Sequence, residues 1–209
     1  PKMLGVEGKP TAIDGKILPM PAYGMRVMSM GMFVEGNTPI IWRGPMLGKV
    51  LQQFLADVVW GDLDYLLLDL PPGTGDMALD VARLLPRGQL VIVSTPQEVA
   101  STVASRAAYM ARRANQTVLG VIENMSFFVC PHCGERAWIF GEGGGEELAR
   151  QLEVPLLGRI PLTVELRRAC DAGVPAVHAD GVDEATRQAF LAIAGEIARR
   201  LPAPARSVS

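Results

Sequence analysis

The apolar run Tyr65-Leu-Leu-Leu68 leads directly into Asp69-Leu-Pro-Pro-Gly-Thr-Gly-Asp76. A short, continuous apolar run bounded by turn residues predicts a strand buried on both faces of a parallel sheet, spanning Tyr65 to Leu70. Asp69 then stands at its carboxyl end. Ligands of open α/β sheets bind at that edge, where an Asp holds Mg²⁺ through water and the metal bridges phosphate oxygens. The two prolines stiffen the loop, while Gly73 and Gly75 let main-chain N–H groups approach an anion with no Cβ in the way. The competing reading is a tight strand-to-helix turn with a capping Asp.

No stretch matches Gly-x-x-x-x-Gly-Lys-Ser/Thr, the loop that cradles the phosphates themselves. The chain opens on Pro1, and its first twenty residues form a loose stretch broken by Gly and Pro. The simplest expectation is an amino-terminal truncation that removes one strand and the phosphate-loop helix. A sheet without a central member exposes unpaired backbone and apolar faces, so this chain is expected to be poorly stable alone.

With 209 residues, 49% of them apolar, the chain is long enough for one domain with a sizeable core. A net charge of −2 gives no electrostatic reason for nucleic acid or an anionic membrane as partner. No apolar run approaches the roughly 20 residues needed to span a bilayer, and no secretory signal precedes the fold, so cytoplasm is the default.

Periodicity predicts strand Met25 to Met30, then a helix whose stripe is Leu47, Val50, Leu51, Phe54, Leu55, Val58 and Val59. After the Pro-Pro-Gly loop come a helix over Met77 to Leu85 and strand Leu90 to Ser94. Thr95-Pro-Gln-Glu98 reads as a cap, a first-turn proline and a third-position acid, announcing a helix to Arg113. Strand Val118 to Glu123, helix Glu146 to Leu152, strand Leu156 to Ile160, helix Val164 to Ala172 and helix Asp183 to Leu201 complete the series. Strands alternating with helices predict an α/β fold of three layers, a mostly parallel sheet with helices on both faces. We expect a single nucleotide-binding domain over 1–201, incomplete at its start, with a Cys loop at 124–143 and a disordered tail at 202–209.

That loop holds Cys130-Pro-His-Cys133-Gly. Two thiolates separated by two residues bind one metal, or one edge of a cluster, but a complete set needs about four ligands. A two-fold dimer supplies four from the same loop twice. Cys170 is a possible third ligand and more simply a buried free cysteine on a short helix. His132, pinned between the cysteines, is a bystander with room for an outer contact. Nothing announces the helix that a thioredoxin-like pair needs. Taken alone, the spacing leaves zinc and iron-sulfur nearly equal.

The motifs Trp42-Arg-Gly-Pro-Met46, Asp69-Leu-Pro-Pro-Gly-Thr-Gly-Asp76, Gly120-Val-Ile-Glu-Asn-Met-Ser126, Cys130-Pro-His-Cys133 and Phe140-Gly-Glu-Gly-Gly-Gly145, in this order, resemble the Mrp/ApbC iron-sulfur carrier ATPases over nearly the whole chain. The resemblance implies a P-loop NTPase of the deviant Walker A class, similar to MinD and nitrogenase iron protein. It further implies a homodimer using ATP and Mg²⁺, with a transferable [4Fe-4S] cluster between its subunits for delivery to apo iron-sulfur acceptor proteins. Asp69 matches the Walker B acid, Gly73 the backbone N–H facing the terminal phosphate, Asn124 the adenine contact, Pro161 the segment beside the base, and Cys130 and Cys133 the cluster ligands. Arg43 is a hallmark without an evident physical role beyond an interface or phosphate contact. The family's two-lysine phosphate loop and the acidic switch after it have no match here, so the resemblance assigns ATP hydrolysis to the intact parent. Two other readings remain: a zinc-knuckled positioning ATPase, and an electron-transfer ATPase that keeps its cluster.

Overall fold

The computed structural model describes residues 1–33, 44–71 and 76–202. In chain order its elements are β1 (Ala12–Ile13), β2 (Lys16–Ile17), β3 (Met20–Ala22), β4 (Met25–Val27), α1 (Gly44–Ala56), α2 (Asp76–Leu84), β5 (Gln89–Ser94), α3 (Glu98–Arg113), β6 (Thr117–Glu123), β7 (Phe128–Val129), β8 (Arg136–Ala137), α4 (Gly144–Gln151), β9 (Leu156–Arg159), α5 (Val164–Asp171) and α6 (Glu184–Arg200). Among the described residues the central sheet is parallel, with β6 between β5 and β9.

Strand β6 organises the core because its successive side chains leave opposite faces of the sheet. Val121 joins Ile92, Ala108, Ala111, Leu148, Ala149 and Leu152, which brings α3 and α4 onto one face. Ile122 joins Leu157, Ile160 and Ile193, which brings α6 onto the other. Three layers result, and the expected α/β architecture is observed. Gly158 of β9 is where α6 comes closest: a Cβ there would stand 2.4 Å from Cγ1 of Ile193. Helix α6 begins where its sequence announces it, the Asp183 carboxylate accepting from the Thr186 N–H at 2.9 Å and the Thr186 hydroxyl at 2.6 Å.

Several expectations are corrected. Residues 65–70 form no strand: they carry no ladder partner among the described residues, and Leu67 is 85% exposed. An apolar run becomes a sheet strand only when a neighbouring backbone takes up its N–H and C=O groups, and here Tyr65 is tied instead by its hydroxyl to the Leu201 carbonyl. The loose opening contains two hairpins. Asp14-Gly15 and Tyr23-Gly24 have both φ values positive, as a tight two-residue hairpin turn demands, and they join β1 to β2 and β3 to β4. The strand expected over Met25 to Met30 is therefore the short second arm of a hairpin, followed by a 3-10 turn at Met30–Phe33. Val58 and Val59 lie beyond α1, where Val58 bridges Ile17. Helix α3 starts at Glu98 with Gln97 at its cap position. Thr95 does not cap it, because its hydroxyl is spent on the Gln97 side chain at 3.0 Å. Of the tail expected at 202–209, only the exposed Pro202 is among the described residues.

The closeness of α6 to β9 has a measurable consequence. Gly158→Ala should lower the urea midpoint by the equivalent of about 1–3 kcal/mol, as forced overpacking does. An unchanged midpoint would mean that α6 sits farther from the sheet than described.

Candidate functional site

The carboxyl ends of β5, β6 and β9 meet at one edge, and the chain there is held residue by residue. The Asn124 N–H donates to the Ser94 carbonyl at the end of β5 (2.8 Å), the Ile160 N–H to the Glu123 carbonyl (2.9 Å), and the Ser126 N–H to the Ile160 carbonyl (2.9 Å). Asn124 and Pro161, predicted separately, are thereby brought to adjacent strand ends. Asn124 is half-buried and its side-chain oxygen accepts the Met125 N–H at 3.0 Å. This fixes the tight turn in which Met125 adopts a left-handed φ of 53°.

Beneath the turn lies a residue that the sequence reading did not single out. Glu123 is fully buried. One of its carboxylate oxygens accepts from the Ser126 hydroxyl and from Nε of Arg159 at 3.3 Å, and the other from the Gly145 N–H at 2.5 Å. Arg159 also reaches Glu146 through Nη2 at 2.7 Å. Removing such partners from a buried charge costs on the order of 3–5 kcal/mol. The glycine run is explained by the same packing: a Cβ on Gly145 would lie 2.7 Å from Cβ of Glu123, and one on Gly144 would lie 2.0 Å from the Pro96 carbonyl oxygen. An acid at the end of an otherwise apolar buried strand was the available signal, since a buried charge must be paired.

From this turn the chain runs to the cysteines. The Leu162 N–H donates to the Phe127 carbonyl at 2.8 Å, and β7 pairs with β8 in a hairpin whose tip is Cys130-Pro-His-Cys133. The tip is closed by Cys130 N–H to Glu135 carbonyl and Gly134 N–H to Cys130 carbonyl, each 2.9 Å, with Gly134 at a φ of 73°. Phe127 supports it, packed edge-on against Trp138 at 5.4 Å and covered by Arg136 at 4.5 Å. The Cys130 thiol is held below the usual cysteine range, first by the main-chain N–H of Cys133, then by that of His132 and the Cys133 side chain, against a small opposing effect of burial. N–H groups aimed at sulfur stabilise thiolate, the form that binds metal. His132 thus contributes through its backbone, its side chain being exposed. Cys170 is half-buried on α5, and burial, followed by the Asp171 charge, pushes its thiol up. Among the described residues no group of three or more His, Cys, Asp and Glu is placed to hold a metal ion.

The phosphate side is less complete. Asp69 is exposed at the end of the unpaired 65–70 segment. Gly73, Trp42 and Arg43 lie outside the described residues.

A family model described as "ParA: NUBPL iron-transfer P-loop NTPase" matches residues 1–198. The chain belongs to this family. Among curated members, the iron-sulfur cluster carrier protein of Bacillus subtilis is 54% identical over 162 residues, covering 78% of this chain and 46% of that protein. The mouse iron-sulfur cluster transfer protein NUBPL is 44% identical over 203 residues, covering 96% and 63%. This family member thus spans about half to two-thirds of the length of such relatives. A nucleotide-binding protein of Archaeoglobus fulgidus, solved in complex with ADP, is 39% identical with a TM-score of 0.69, covering 83% of this chain and 68% of that one. MinD of Pyrococcus furiosus, at 22% identity and a TM-score of 0.54 over 75% of this chain and 59% of that one, shares the fold.

The thiol environments predict a graded pH response. A lowered pKa keeps thiolate present further down in pH, and a raised one delays it. Iodoacetamide labelling of the reduced folded chain, resolved by peptide mass mapping, should therefore modify Cys130 at pH values where the urea-unfolded chain reacts slowly, with Cys170 lagging behind. Cys130 and Cys170 labelling with the same pH profile would contradict the N–H to sulfur arrangement.

Proposed function

We propose that this chain is the cluster-bearing part of an ATP-dependent carrier, in which two copies hold a [4Fe-4S] cluster between them and hand it to apo acceptor proteins. The hairpin tip carries this reading: two thiols, one favoured as thiolate by main-chain N–H groups, lie at an exposed turn and, among the described residues, are not enclosed by further ligands. Two ligands make a weak site, and a symmetric second copy makes four. The names of the relatives support cluster transport as the task.

In this scheme Asp69 would hold Mg²⁺, Asn124 and Pro161 would flank the base, and Gly73, outside the described residues, is the position that the family resemblance assigns to the terminal phosphate. When bound, Mg²⁺ and the phosphate loop stabilise the charge that develops on the transferred phosphoryl group. The chain's own residues orient the base and present the thiols. Nucleotide state would alter how the two copies meet and so how tightly four thiolates hold the cargo. No helix among the described residues is long and apolar enough to cross a membrane, and a reducing cytoplasm suits free thiols.

A zinc knuckle is the second reading, favoured by the short hairpin with N–H groups aimed at sulfur. Anaerobic reconstitution of the full-length protein with iron and sulfide separates the two. The carrier reading predicts a brown product with about four irons per two chains, lost in Cys133→Ala. Colourless protein with stoichiometric zinc rejects it. A cluster that cannot be passed to an apo acceptor in the presence of a chelator would point instead to electron transfer.

A further inference from the structure

The Glu123 carboxylate links the end of β6 to three other places in the chain. It ends β6, and its side chain takes donors from the Ser126 turn, from the first turn of α4 and from Arg159 at the end of β9. Glu146, one residue beyond Gly145, holds the other face of the Arg159 guanidinium. Each segment leads somewhere specific. Asn124 follows Glu123 directly, and its N–H is anchored on the end of β5. Ser126 opens the run that continues through Phe127 and Phe128, both tied to Leu162, into the cysteine hairpin. Gly144 lies against the carbonyl of Pro96 in the loop after β5, so a side chain at 144 would push α4 away from the carboxylate or displace that loop.

The packing leaves little slack. Glu123, Ser126 and Gly145 are all buried, and neither glycine has room for a Cβ. A displacement of the Asn124 turn must then move the donors on Ser126 and Gly145 or break their bonds to a buried charge. Close-packed groups of this kind switch between discrete arrangements rather than deforming gradually. Helix α4 also presents the positive end of its dipole to the carboxylate, which strengthens the preference for one docked position.

We propose that Glu123 is a positioning residue that couples the base-binding turn to the cysteine hairpin, so that occupation of the nucleotide side is felt at the thiols. This rests on the assignment of Asn124 and of the cysteine pair made above, but its test does not require a cluster. Glu123→Gln keeps the shape and removes the charge, so that an amide donor now faces the Ser126 hydroxyl, the Gly145 N–H or Arg159. Ser126→Ala removes a single donor and leaves the carboxylate held by Gly145 and Arg159, which serves should the first variant fold poorly.

The experiment is amide hydrogen exchange on the full-length apo protein with and without Mg-ATP, read at residues 128–137 and 143–147, alongside ATP affinity. In the unaltered protein ATP should slow exchange in both segments, by about tenfold if the coupling has the usual size. Both variants should still bind ATP yet lose most of the response at 128–137. A purely structural role would lower stability without separating ATP affinity from the hairpin response. The proposal is overturned if the variants retain the full response, or if ATP leaves the hairpin of the unaltered protein unchanged. Iron content is scored separately: protein that shows the ATP response but takes up only zinc would reject the carrier function and leave this coupling standing.

Discussion

The buried Glu123 carboxylate fixes how the edge of the sheet is assembled. It accepts a hydroxyl, a main-chain N–H and a guanidinium from three different segments, and the strands behind it bury Val121 and Ile122 into opposite cores. A charge in that position is costly unless it is partnered, and Ser126, the Gly145 N–H and Arg159 share that task. Sequence motifs that lie well apart along the chain are thereby brought to one side chain.

The cysteine hairpin depends on that assembly because it grows out of the same turn. Its own paired region is two residues long on each arm, too short to be stable alone. The aromatic support of Phe127 and Trp138, the Arg136 cover and the Phe128 bridge to Leu162 supply the rest. What the hairpin then offers is chemically limited: a thiol favoured as thiolate and an exposed neighbour, with no further side-chain donors gathered around them among the described residues. Under the proposed arrangement, a cluster shared by two such hairpins would be released more readily than one in an enclosed four-ligand site, because separating the two copies would remove half of the ligands at once. That property suits transport better than permanent storage.

Much of the fold was legible from pattern. The run from Val118 to Glu123, the start signal before α3 and the helix from Asp183 are local signals, and local signals survive folding unless tertiary contacts override them. The run from Tyr65 to Leu70 failed for the complementary reason: strand identity belongs to a pair of backbones, and no partner pairs with it among the described residues. The Asp14-Gly15 turn was readable and passed over because its flanking strands are only two residues long. At the candidate site, Cys130 and Cys133 were proposed from their spacing and Asn124 and Pro161 from motif resemblance, whereas Glu123 was singled out by neither, since two of its partners lie 22 and 36 residues away and only packing reveals them. Asp69 was also proposed from its motif, and it sits exposed on a segment outside the sheet, so what the apolar run failed to tell is where that acid is carried.

The central claim is that two hairpins together complete what one cannot. Native mass spectrometry of the reconstituted full-length protein, sprayed anaerobically from a volatile buffer, tests it most directly. The account predicts that the cluster mass is carried by a species of two chains and that single chains are free of iron. A single chain that retains a complete four-iron cluster would contradict it.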